Sequence, residues 1–166
     1  MSRPFDQQPT DYDSLIGSLI SEIEKITDCP VIPNEQIAEA KELPFISYYP
    51  LIYDDPVYSD PIINSGQFEA TISIDVFCKT LSEAMKKAGA LHVFLRDPYV
   101  RQEVRNDGIV IASVESPQGR AVNSLPFNSV HHHGFDVTIR YARHFQSPID
   151  QISNVDITTN FKEEEF

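Results

Sequence analysis

The chain has 166 residues, with 13 Lys and Arg against 25 Asp and Glu, for a net charge of −12. That length suits one domain with a core of its own, and the acidic balance excludes a protein that wraps nucleic acid, which needs Lys and Arg to neutralise phosphates. No run of eighteen apolar residues is present, and MSRPFDQQPTDYDS lacks the apolar core of a signal peptide, so neither a membrane span nor export is expected and the chain is placed in the cytoplasm where it is made.

Residues 1–9 are polar, contain Pro4 and Pro9, and are expected to form an arm. Thr10 and Asp13 suit a capping box. After them Leu15, Ile16, Leu19, Ile20, Ile23 and Ile26 recur at helical spacing with Glu22, Glu24 and Lys25 opposite, which predicts a helix over Asp11–Thr27. Pro30 and Pro33 stop it. Residues 31–43 are ambiguous, with a short helical turn expected at Glu35–Lys41.

The stretch FISYYPLIYDDPVYSDP, Phe45–Pro61, is rich in Tyr, Phe and Ile and favours a strand. Pro50 and Pro56 cannot donate to a ladder, which places this strand at an edge or puts bulges in it. Tyr48, Tyr49, Tyr53 and Tyr58 crowd the stretch. A stacking platform for bases would need interleaved Lys or Arg, so cross-strand packing or an interface is the better reading of these four. Asn64-Ser65-Gly66 is turn chemistry.

QFEATISIDVFCK, Gln67–Lys79, then alternates. Phe68, Ala70, Ile72, Ile74, Val76 and Cys78 share one face; Gln67, Glu69, Thr71, Ser73, Asp75 and Lys79 share the other, with Phe77 the exception. TLSEAMKKAGALHVFLRD follows. Thr80 and Glu83 fit a capping box, and Leu81, Ala84, Met85, Ala88, Leu91 and Leu95 form an apolar stripe. Thirteen strand residues reach about 43 Å and sixteen helical ones only about 24 Å. Either a further element covers the remainder of the strand, or the hairpin projects and needs a partner chain.

Asp97 is a good N-cap, Pro98 suits the first helical position, Tyr99, Val100 and Val104 give a short helix, and Gly108 ends it. Ile109–Val114 reads as a buried strand, Ser116–Gly119 as a turn, and 120–129 as a loop. Val130–Phe145 is the last long strand, with Phe135, Val137, Ile139 and Tyr141 on one face. It opens on His131-His132-His133, of which His131 and His133 share a face. A metal needs further ligands that no acidic residue or Cys supplies at a motif spacing, so a wet strand end or an inter-subunit contact is the better reading. His92 and His144 read as structural. Cys29 and Cys78 read as reduced thiols, Cys78 on the apolar face; a disulfide would need Cys29 to lie beside that strand. From Pro148 on, Ile152, Val155, Ile157 and Phe161 are too sparse for a core. Ile157–Phe161 either adds as a strand to another subunit's edge or belongs to a disordered, acidic tail.

The fold expected is α+β: a mainly antiparallel sheet of four or more strands, helices packed on one face, and a long projecting hairpin. The domain is set at 10–147, between the arm at 1–9 and an acidic extension at 148–166. No glycine-rich phosphate loop, GxSxG, HExxH or Cys-pair metal spacing is present, so no enzyme, cofactor or metal is expected.

The element order, with QFEATISIDVFCKTLSEAMKKAGALHVFLRD, DGIVIASVES and HHHGFDVTIRYARHF, resembles the tail-terminator and neck-terminator proteins of long-tailed bacteriophages. The resemblance covers about two thirds of the chain. It implies a structural virion protein, assembled in the host cytoplasm and placed at the head–tail junction. There it would form a hexameric ring that ends growth of the tail tube and joins the tail to a head connector or stopper protein. DNA would pass through the lumen without specific binding. Tyr48, Tyr49, Tyr53, Tyr58, His131, His133, Ile157 and Phe161 are the expected interface residues. The acidic extension and the histidine run depart from a minimal terminator. Another head- or tail-completion connector, or a non-viral α+β binding module, are the alternatives.

Overall fold

A computed structural model describes residues 12–40, 42–60, 65–120 and 130–144. Helix α1 (Tyr12–Thr27) leads into a three-residue strand β1 (Val31–Pro33) and a 3-10 turn (Asn34–Glu39). Strands β2 (Phe45–Asp60) and β3 (Ser65–Cys78) follow. Then come α2 (Leu81–Arg96), α3 (Pro98–Asn106), β4 (Ile109–Val114), the two-residue β5 (Gln118–Gly119) and β6 (His131–His144). The sheet order is β1-β2-β3-β6-β4, with β5 also beside β6. All pairings are antiparallel except β1 with β2. The parallel β1 went unread in the sequence because three residues show no period.

The register of β3 follows its alternation. Phe68, Ala70, Ile72, Ile74, Val76 and Cys78 are all buried and join Leu19 and Ile23 of α1 and Ala84, Ala88, Leu91 and Leu95 of α2 in one core. The expected stripe of α2 is corrected at two places: Leu81 and Met85 are about half exposed. The side of α2 that enters the core instead carries Ala84 and Ala88, whose small side chains let the helix lie close to the sheet. The caps hold as read. Thr80 Oγ1 accepts from the Glu83 amide at 3.2 Å, and Asp97 Oδ1 accepts from the Tyr99 amide at 2.8 Å. Gly108 leaves α3 at φ +86°, a conformation that costs glycine little. The run Ile109–Val114 is not fully buried as expected. As the outermost strand β4 buries Ile109 and Ile111 and exposes Val110, because only one of its faces meets the helices.

The excess length of β3 is resolved at its far end. β6 pairs with β3 over all fourteen residues, from Ser65↔His144 to Cys78↔His131, so that end is three strands wide and not a free two-stranded hairpin. Its cover is a side-chain knot that takes in Tyr12 at the start of α1. β2 shifts register between Pro50 and Ile52, Ile52 and Asp55, and Pro56 and Tyr58, as two prolines in one strand require. Within this irregular stretch Asp54 takes φ +52° and is held from β6. Tyr141 Oη donates to Asp54 Oδ1 at 2.7 Å, and Arg143 Nη1 donates to Oδ2 at 2.6 Å. Arg143 also lies over the Phe68 ring at 5.7 Å, and Phe68 stacks on Tyr141.

Burial would raise the pKa of Asp54, but hydrogen bonds from Tyr12 and Tyr141 and the Arg143 charge outweigh it and hold the carboxyl below its ordinary 3.8. A depressed carboxyl stabilises the fold above the unfolded-state value and loses that contribution as pH falls through the folded-state one. Asp54→Asn is therefore expected to cost about 1.5–3 kcal/mol at neutral pH, the range for hydrogen bonds to a charged group. The gap in melting temperature between the two proteins should close on acidification below pH 3.8. A gap that widened with acid would contradict this.

Candidate assembly surface

Two surfaces of the sheet remain without a partner among the described residues. The first is the outer edge of β2. β1 pairs only with Ile46, Ser47 and Tyr48. From Tyr49 onward no described strand lies on that side; Pro50 and Pro56 offer no N–H there, and the Asp54 amide donates to Tyr141 Oη at 3.3 Å. Around this edge Tyr49, Leu51, Ile52, Tyr53, Val57 and Tyr58 are 46–64% exposed, so apolar side chains cluster along it. Between the edge and α1 runs a groove of about 610 Å³. Tyr12, Ile16, Gly17 and Ile20 line it from α1, Tyr48, Pro50 and Tyr53 from β2, and Ala70 and Ile72 from β3. Tyr12 and Tyr53 meet edge to face at 5.5 Å. Asp13 and Glu35 stand at the groove. Burial first, and then both charges, push the Tyr48 hydroxyl pKa up.

The second surface is the face of the sheet away from the helices. It carries the polar positions of the β3 alternation, yet parts of it are covered. Phe45, Phe77 and His132 stack across three strands at 4.7 and 5.1 Å, which explains Phe77 as the exception in the alternation. Further along, Arg120 folds over the sheet from the end of β5 and binds Ser73 and Asp136, with Asp75 at 3.5 Å. Ser73 is buried as a result. Asp75 lies across Gly134, where a Cβ would collide with its carboxylate and with the Ile74 carbonyl. Burial raises the pKa of Asp75 against the pull of Arg120, and burial lowers that of His132. Beyond this cluster Thr71 and Thr138 share a hydrogen bond at 3.2 Å, and Arg140 binds Glu69 at 2.6 Å.

Of the residues expected at an interface, Tyr48 is half-buried against the core, and Tyr49, Tyr53 and Tyr58 are exposed along β2. His131 and His133 lie opposite Cys78 and Val76, at the other end of the sheet from Tyr58, which lies opposite Gln67. The structure therefore gathers the tyrosines and not the histidines. Ile157 and Phe161 lie outside the described residues, as do Thr10 and the arm. The ionic contacts of Arg120, Arg140 and Arg143 were not read in the sequence, because each joins residues far apart in the chain. Cys29 and Cys78 are both buried free thiols, with Cys78 pushed up to about 11 by burial. Among the described residues no three His, Cys, Asp or Glu side chains converge as a metal site would need, and no helix is long and apolar enough to cross a membrane.

Compared with known proteins, residues 14–165 match the family described as phage neck terminator protein. The match runs through most of the extension that the sequence reading had set apart as a departure from the terminator pattern. No curated protein matches the chain.

Proposed function

The chain belongs to the phage neck terminator family, a family of structural virion proteins, and from that membership we propose that it forms a ring at the head-proximal end of the phage tail. The ring has six copies, ends growth of the tail tube and joins the tail to the head connector or stopper protein. DNA passes through its lumen. The family match over nearly the whole chain carries this reading.

Two physical features support it. The outer edge of β2, flanked by exposed apolar side chains, is the kind of surface that soluble proteins cover with another chain. A contact between two different patches on successive copies closes into a ring when the rotation permits. A net charge of −12 repels the DNA backbone, which suits a channel that must let DNA slide. In this reading 10–147 is the ring domain, and 1–9 and 148–166 are arms that reach partners.

Phage particles made without the protein test the proposal. Tails and filled heads are expected to accumulate separately, and adding the purified protein back should restore joining. Joined, infectious particles formed in its absence would overturn it.

A further inference from the structure

A ring of identical copies needs two different surfaces that fit each other. We propose that the outward flank of α2 in one copy docks on the exposed side chains of β2 in a second copy, apolar against apolar and cation against carboxylate. The contact rests on the ring reading, runs through side chains and needs no backbone pairing.

α2 gives Ala84, Ala88, Leu91 and Leu95 to the core. On one side of them Lys87 Nζ donates to Cys29 Sγ at 3.8 Å, just past the end of α1. On the other side His92 meets the Phe135 ring of β6 edge to face at 5.8 Å. Beyond His92, Leu81, Met85, Gly89 and Val93 recur every fourth position and form one ridge along the helix. Leu81, Met85 and Val93 are about half exposed or more. A Cβ at Gly89 would meet nothing within 4 Å, so the ridge has room at its middle. Lys86 and Arg96, both exposed, border it. Glu83 is the one carboxylate from Lys79 to Arg96, and at about 100° per residue it points to the other side of the helix. The ridge is thus apolar and basic on a chain of net charge −12.

The exposed row on β2 has the complementary character. Leu51, Ile52, Tyr53, Val57 and Tyr58 are exposed, with the exposed Asp55 among them. No Lys or Arg occurs between Lys41 and Lys79, and among the described residues no cation pairs with Asp55. The sheet order β1-β2-β3-β6-β4 sets β2 toward one side of the domain. The α2 ridge lies toward the other, past the contact with β6. The two surfaces cannot meet within one copy. Each copy offers one of them to each neighbour, which is the head-to-tail contact that closes into a ring. Acidic copies repel as wholes, and this ridge is where one copy brings positive charge to the carboxylates of the next. The extension at 148–166 stays an arm toward other partners.

Purified full-length protein is added to tails made without it, and ringed tails are counted by microscopy. Gly89→Trp is expected to give no rings and an unchanged melting temperature, since the site is open and glycine is a poor helix residue. Lys86→Glu and Asp55→Lys should each lower the ringed tails by about tenfold, because like charges across an interface oppose docking. Both substitutions on one chain restore opposite charges between copies and should restore the rings. Rings formed normally by Gly89→Trp overturn the docking and leave the ring reading standing. A double variant no better than the single ones means that the ridge meets a different protein, and overturns the contact between copies. If the unaltered protein forms no rings on tails, the ring reading fails together with the docking.

Discussion

Replacing Leu91 with Ala is expected to destabilise the protein by about 2–5 kcal/mol, the range for emptying a fully buried leucine site. Leu91 is 0% exposed and stands in the core that α2 shares with β3, β6 and α1. Its loss removes apolar burial and leaves a cavity, because the neighbouring strands are pinned by long ladders and cannot close in. At this chain length the change corresponds to a fall in melting temperature of roughly 4–20 °C. Glu83→Ala on the same helix is the control. The cap at that position is made by the Glu83 amide to Thr80 Oγ1, which Ala retains. Chemical denaturation of both variants decides it, and equal small effects would mean the core is not packed as described.

Deleting 148–166 is expected to act in the opposite sense, with a large loss of assembly and a small loss of stability. The described residues bury a core without that segment: Phe135, Val137, Ile139 and Tyr141 of β6 are buried before it begins. The outer edge of β2, by contrast, has no cover within the described chain. The truncated protein should melt within a few degrees of the full chain and yet fail to form rings on tails. A truncated protein that assembles normally would remove the extension from the account of the joint. A truncated protein that no longer folds would show that the segment completes the domain itself.

How far the sequence alone carried the fold depends on the range of each interaction. The alternation from Phe68 to Cys78 and the caps at Thr80 and Asp97 are local, and they stand in the structure as read. The surface of α2 was misread at Leu81 and Met85, because a helical stripe does not say how closely its sheet approaches. The cover on the second face of the sheet went unread for a related reason. Period two separates Ser73 from Ile72 but cannot announce that Arg120, forty-seven positions on, will fold over it. The knot of Asp54, Tyr141 and Arg143 spans nearly ninety positions and is equally silent in the linear pattern. The assembly surface was half legible. The prolines and tyrosines of β2 marked an edge with apolar surface, while the groove beside it required α1 to be placed in space.

Imaging of the mature virion at a resolution that traces chains is the decisive measurement. The account predicts six copies of this chain around the DNA channel at the head–tail junction, between the last ring of the tail tube and the head connector. A mature virion with no copy of the chain at that junction would contradict it.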